Sequence, residues 1–211
     1  MITPNLVSKY FQASLLLFFF VLTFFIQPAF GHHPFLMDDS YQVSVWQSLF
    51  SGIAHPLLGP DHLLFILGIG LVGLTKSKKS ILPLLAVGLG GSLLVQLQPL
   101  PDFLTPWAEA LVSLSLAIEG LIALNFLSTK WLLPMFALHG YLLGSTIVGA
   151  EPSPLIGYFG GLLFVQGSLL LVVTSASQKV FHKLLRAKDR ITLAGIWIGI
   201  GLAFSWVALI E

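Results

Sequence analysis

His55, Asp61 and His62 fall within the stretch "AHPLLGPDHLLFILGIG", where two prolines and a glycine interrupt the chain just before an unbroken apolar run. Two imidazoles and a carboxylate so close together can hold a borderline divalent cation. Imidazole suits nickel, cobalt, copper and zinc, whereas Mg²⁺ or Ca²⁺ would call for more carboxylates. Asp61 can offset part of the cost of bringing a dication into low dielectric, or can orient an imidazole. It also follows Pro60 at a helix start, where a carboxylate satisfies free N–H groups and complements the helix dipole. Capping alone would leave both histidines unexplained.

Two more ionisable residues lie in apolar surroundings. Glu119 is eleven residues before Lys130 and His139 nine after it, so the pair is expected level across an antiparallel hairpin, near the centre of any membrane the hairpin crosses. A charge there costs about 2.5 to 3.5 kcal/mol on insertion scales, which makes such residues functional candidates, with a structural interhelical hydrogen bond as the alternative. Glu109, nearer a helix end, and His182, in a basic segment, fit solvated structural roles. The chain has no cysteine, so disulfides, thiolate metal sites and cysteine nucleophiles are excluded.

The elements that must position these groups are membrane helices. Of 211 residues, 56% are hydrophobic and 9% charged, and mean hydropathy is strongly positive. Apolar runs of about 20 residues, the length that crosses about 30 Å of hydrocarbon, recur along the chain and leave no room for a sizeable soluble domain. The formal charge of +1 provides no basic surface for nucleic acid.

Residues 1–31 read as a cleavable signal peptide: Lys9, an apolar block from Ala13 to Ile26, then Ala29 and Gly31 at a cleavage site. An uncleaved first membrane helix is the alternative. Cleavage after Gly31 would leave a free amine beside His32 and His33, a set that can capture a divalent metal or form no more than a mobile polar terminus.

Residues 32–211 then form a single polytopic membrane domain. Six spanning helices are expected at about 61 to 75, 80 to 97, 107 to 128, 131 to 150, 155 to 177 and 191 to 210, punctuated by Pro99, Pro101, Pro106, Pro152 and Pro154. All nine lysines and arginines beyond the leader, Lys130 among them, fall on one side. The positive-inside rule makes that side cytoplasmic, so Asp102, Glu151 and the C-terminus face outward. Residues 41–55 look helical but are too short and too polar to cross with both ends outside; they read as a re-entrant or interfacial helix. The first spanning helix, about 22 Å long at 1.5 Å per residue, would place its outer end, with His55, Asp61 and His62, in a depression below the membrane surface.

"GLGGSLLVQ" at 88–96 aligns with "YFGGLLFVQ" at 158–166, an offset of 70 residues. The same offset carries the first spanning helix onto the fourth. Three helices per half would make this a 3+3 inverted repeat, as in many secondary transporters. Gly140 with Gly144, Gly157 with Gly161 and Gly195 with Gly199 are spaced for close helix packing.

"HPLLGPDHLLFILGIG" closely resembles the HPxxGxDH signature of the HupE/UreJ family of membrane nickel and cobalt permeases. The resemblance extends over nearly the whole chain, through the leader, six spans, a Glu on the third and "HG" on the fourth. It implies an all-α membrane protein of a bacterial inner (plasma) membrane that takes up Ni²⁺ or Co²⁺ and supplies hydrogenase or urease maturation proteins. Carried over by position, the first-motif ligands are His55, Asp61 and His62 and the fourth-helix histidine is His139. The family often continues HG with another His and a Glu; "HGYLLGSTI" offers Leu143, Ser145 and Thr146 instead. No permanently bound cofactor is expected, the metal being cargo.

Two other classes fit the residue types. An intramembrane metalloenzyme could hold zinc on two histidines and a carboxylate, but the chain has no HExxH motif and no obvious nucleophile–base pair, so an enzyme is not expected. A metal-binding accessory or sensor would bind without transport.

Overall fold

The computed structural model describes residues 44–72, 80–177 and 187–210, so the expected signal peptide, His32 and His33 lie outside the described residues. Seven α-helices run through those residues: α1 (Val45–Leu58), α2 (Pro60–Val72), α3 (Ile81–Leu97), α4 (Thr105–Ala123), α5 (Leu132–Ser145), α6 (Pro152–Ala176) and α7 (Ala187–Ile210). Local chemistry sets their ends. At α1, Ser44 and Gln47 form a reciprocal capping box, with bonds of 3.3 and 2.9 Å. Proline opens α2 and occupies the first turns of α4 and α6, where its missing N–H costs nothing.

Three of these helices, with their flanking turns, are long and apolar enough to cross a membrane: Asp102–Ala123, Pro152–Ala176 and Asp189–Ile210. The bent pair α1 and α2 makes a fourth if taken as one span. Large apolar side chains such as Leu82, Ile156, Phe164 and Trp206 cover the outer surface, which suits lipid and would be a liability in water. The chain is thus an integral membrane protein.

The pair α1 and α2 revises the expectation of a re-entrant or interfacial helix at 41–55 with both ends outside. The Cβ position of Gly157 lies against the Val45 carbonyl and that of Gly161 against the Leu49 carbonyl, so α1 runs in the same direction as α6. Further along, Ser177 Oγ donates to the Gly70 carbonyl at 2.8 Å, so α2 keeps advancing beside the far end of α6. The two helices are successive halves of one path bent by 69° at Gly59. The break coincides with Pro60, which cannot donate the backbone N–H that would bond the Pro56 carbonyl and continue one helix through it.

The remaining helices pack as α3 beside α5 and α4 against α7. Gly140 meets the Gly88 backbone and Gly144 the Ser92 backbone, so α3 and α5 are parallel. Gly120 meets Ala194 and Gly201 meets Ser113 and Ala117, so α4 and α7 are antiparallel. These contacts reveal an internal symmetry. Gly52 meets the Tyr158 carbonyl as Gly140 meets that of Gly88, and Gly161 meets Leu49 and Ile53 as Gly91 meets Ala137 and Tyr141. The pair α1 and α6 therefore repeats the pair α5 and α3, with the opposite direction in the bundle, and α4 and α7 exchange with each other.

The register of 88–96 on 158–166 matches this packing, but the equivalence of the first spanning helix (61–75) with the fourth does not: the counterpart of α5 is α1. From Gly52 to Gly88 there are 36 residues, and from Gly140 to Tyr158 only 18. The surplus in the first half is taken up by α2 and its connections. Among the described residues, Gly195 and Gly199 have no neighbour within 4 Å of their Cβ positions, and Gly120 and Gly201 make the close α4–α7 approach instead.

The third spanning helix ends at Ala123, five residues before the expected 128. Asn125 adopts φ 63°, its N–H donates to the Ile122 carbonyl, and the Phe126 N–H reaches the Leu121 carbonyl, which closes a Schellman motif. That early end shifts the register of the hairpin at the candidate site.

Candidate metal-handling site

The break between α1 and α2 brings together the histidines of the first motif. At the first turn of α2, Asp61 Oδ1 accepts the His62 backbone N–H at 2.9 Å, which is the capping role its place after Pro60 suggested. Gly59 is needed for space: a Cβ there would lie 2.8 Å from the His62 ring and 3.4 Å from Asp61 Oδ1. With that room, the buried His62 ring sits edge-on to His55, centroids 5.9 Å apart, and edge-on to His139 of α5, centroids 5.0 Å apart.

His62 Nδ1 and His139 Nδ1 are 2.8 Å apart, and His139 Nε2 is 2.8 Å from Ser115 Oγ on α4. The His139 ring stacks on Phe65 at 4.0 Å and 12°, with Phe136 beside it, so its plane is fixed by apolar packing and both of its nitrogens by polar partners. At the other end of the row, His55 Nδ1 lies 3.2 Å from the Tyr158 hydroxyl on α6. That hydroxyl donates to the Leu143 carbonyl at 2.5 Å and is itself approached by Thr146 Oγ1 at 3.1 Å. Leu143 and Thr146, at the end of α5, thus anchor Tyr158.

Glu119 stands apart from the histidines. His139 lies seven residues from the start of α5, whereas Glu119 lies only four from the end of α4, so His139 is level with Ser115 and not with Glu119. The count from Lys130 misplaced the pair because Lys130 is not the midpoint of a connection that begins at Leu124. Glu119 is wholly buried and points at Gly68 of α2, where its Oε2 and the Trp197 Nε1 of α7 converge on the space a Cβ would occupy. The indole faces the carboxylate without reaching hydrogen-bonding geometry, and among the described residues both Glu119 oxygens and Trp197 Nε1 are buried without a hydrogen-bond partner.

Among the described residues, no three His, Asp or Glu side chains close around one point as a metal cage. The structure brings His55, His62 and His139 into a row, turns Asp61 toward the backbone of α2, and leaves Glu119 about one helical turn deeper along α4 than Ser115. Such an arrangement can offer imidazole nitrogens and a carboxylate in succession.

Sequence reasoning missed Ser115, Tyr158, Thr146 and Trp197. Ser115 is four residues before Glu119 and therefore on its face of α4, a signal that helical spacing carries. Tyr158 stands where the repeat has Gly88, a departure that marks it as unequal to its counterpart. Thr146 stood out only as a departure from the resembled pattern after HG, and Trp197 gave no local signal.

A family model described as HupE / UreJ protein matches residues 20–204. No curated protein and no solved structure matches the chain.

Proposed function

Because the chain belongs to the HupE/UreJ family, we propose that it is a secondary permease that carries a divalent transition metal, Ni²⁺ or Co²⁺, into the cell for metalloenzyme assembly. The observation that carries this reading is the row of His55, His62 and His139 at a helix break inside an apolar bundle. Broken helices are how many transporters bring polar groups to mid-membrane depth, since irregular backbone there is tolerated only beside protein or a watery cavity. Imidazoles in a row suit passage better than a closed tetrahedral cage, which holds its ion as structural zinc sites do. The ion is gathered at His55, Asp61 and His62 and passed toward the Glu119 carboxylate, with His139 between them. An amine with His32 and His33 at the mature N-terminus would add a capture point outside.

In this reading α1 with α2, α3, α4, α5, α6 and α7 make six crossings of a bacterial inner membrane. The basic connections lie inside and the C-terminus outside, and the metal passes to hydrogenase or urease maturation proteins. Cysteines at positions 102 and 151 should react with an impermeant thiol reagent from outside and one at 183 should not; external labelling at 183 would overturn the topology.

The deciding experiment is uptake by the purified protein in liposomes, with Ni²⁺, Co²⁺, Zn²⁺ and Mg²⁺ in turn. Saturable Ni²⁺ or Co²⁺ flux that exceeds Mg²⁺ flux supports the permease. Metal binding with no flux would make the protein an accessory or sensor.

A further inference from the structure

We infer that Trp197 is a positioning residue for Glu119: its indole N–H donates to the carboxylate oxygen Oε2 when a metal ion arrives, so that Oε1 is the oxygen the ion meets. The inference rests on the metal reading, which makes Glu119 a station on the ion's path.

Glu119 Oε1, Glu119 Oε2 and Trp197 Nε1, three buried polar atoms with no hydrogen-bond partner among the described residues, lie where α2, α4 and α7 meet. Oε2 from α4 and Nε1 from α7 both reach into the volume that a Cβ on Gly68 of α2 would fill. The large majority of buried polar groups in folded proteins are paired, so a donor and two acceptors left open at one point mark a place for a group that comes and goes. The place also lies in line with the histidines. His62 is level with His139 and Ser115, and Gly68 is level with Glu119. The step from the row to the carboxylate therefore runs from His62 to Gly68 along α2 and from Ser115 to Glu119 along α4, about 6–9 Å at 1.5 Å per residue.

The chemistry of the three atoms allows one division of labour. An indole N–H only donates and cannot ligate a cation, whereas an ionised carboxylate only accepts. A dication shared by both oxygens would satisfy Glu119 and leave the N–H open, its positive end facing the ion. With the N–H turned to Oε2, which already shares its space, and the ion on Oε1, all three atoms are satisfied. Oε2 is the oxygen nearer Gly68, and a hydrogen bond to an ionised acceptor is a strong one. The indole packs against the apolar core, so the donor is held and the longer, more flexible Glu119 side chain is the part that adjusts. Groups outside a metal's ligands orient ligating carboxylates in the same way.

The test is calorimetric titration of the full-length protein in detergent with Co²⁺, with Co²⁺ uptake measured on the same proteins in liposomes. The binding step lost in Glu119→Gln defines the deep station, and the step lost in His55→Ala defines the row. Trp197→Phe keeps an aromatic ring and removes the N–H. It should weaken the Glu119-dependent step by about tenfold or more, leave the histidine step unchanged, and slow uptake. In a Glu119→Gln background the same substitution should slow uptake by less than about twofold further, because the group it positions is no longer a carboxylate. Gly68→Ala fills the shared space while leaving both side chains in the sequence, and should give the same selective loss of the deep step; it carries the test if Trp197→Phe is not recovered folded. An unchanged Glu119-dependent step in either variant overturns the inference, as does a titration from which Glu119→Gln removes no step. Equal slowing by Trp197→Phe in both backgrounds also overturns it, since Trp197 would then act through packing. Two binding steps and the selective loss, with no flux in the wild type, would sink the permease and leave the positioning role standing.

Discussion

The helix pairs α3 with α5 and α1 with α6 are built on one pattern, and they differ in what ties them together. In both, glycines let backbones touch: Gly88, Gly91 and Gly140 in the first, Gly52, Gly157 and Gly161 in the second. In the first pair, side chains then lock the contact. Ser92 Oγ donates to the Gly140 carbonyl at 2.7 Å and Gln96 Nε2 to the Gly144 carbonyl at 2.8 Å. The counterparts in the second pair are Leu162, whose side chain has no donor, and Gln166, whose Nε2 is buried without a partner among the described residues. Pro56 stands where Gly144 does, and Tyr158 where Gly88 does. One copy of the motif is fastened as scaffold through these two bonds; the other lacks both, is joined instead through Tyr158 and His55, bends into α2 and carries the histidines. The symmetry also takes His139 onto Ser51 and His55 onto Leu143, so a symmetric frame holds an asymmetric site.

The shared glycine contacts are where the comparison breaks most violently. A Cβ at Gly140 would overlap the Gly88 backbone and one at Gly52 the Tyr158 carbonyl, both in direct backbone collision. Gly140→Val and Gly52→Val should therefore each exceed the roughly 1–3 kcal/mol typical of overpacking and leave little monodisperse protein on size-exclusion chromatography. Gly195→Val, at a position with no neighbour among the described residues, should be recovered like wild type. A well-folded Gly52→Val protein would show that α1 does not pack on α6 as Gly140 packs on α3.

Function should be lost on one side of the comparison only. His55→Ala and His62→Ala should each lower liposome metal uptake by about tenfold or more, whether the ring meets the ion or orients another that does. Glu119→Gln keeps shape but removes the deep negative charge; it should lower flux and spare binding at the histidines, as read by calorimetry. Acidifying the outer medium protonates imidazoles and removes the lone pairs a metal needs, so uptake should fall as pH falls. Uptake by His55→Ala and His62→Ala at the rate of a His182→Ala control would remove the motif from the ion path.

Much of this arrangement could be read in advance, for physical reasons that differ by element. Apolar length and proline punctuation located every described helix, because a membrane crossing leaves few alternatives for backbone polar groups. The motif residues were legible because ionisable groups stand out in apolar sequence. Depth and partners were not. The Schellman cap at Asn125 shifted Glu119 a turn away from His139, and such an end depends on one residue's left-handed backbone. The path of α1 was hidden because direction depends on which distant helix accepts its glycines, and the repeat was masked by the extra residues that form α2. Ser115 and Tyr158 are common residue types whose role arises only where three helices meet.

The smallest expected effect is the one that separates the two pairs most cleanly, since Gln96 and Gln166 occupy equivalent positions and differ in their bonds. Gln96 Nε2 reaches a carbonyl across the α3–α5 contact, so Gln96→Leu removes an interhelical hydrogen bond, worth about 0.6 kcal/mol on average and at most about 1.7 inside membranes. It also leaves the Gly144 carbonyl with one acceptor site fewer filled. Gln166 Nε2 has been taken out of its solvated state with no partner among the described residues, and a buried unsatisfied donor costs about 1–3 kcal/mol. Gln166→Leu removes that donor at similar volume. Thermal unfolding in detergent should therefore move in opposite directions, down for Gln96→Leu and level or up for Gln166→Leu. A clear loss of stability in Gln166→Leu would mean that this amide does hold α1 against α6, and the contrast between a fastened and an unfastened copy would fail at its most direct point.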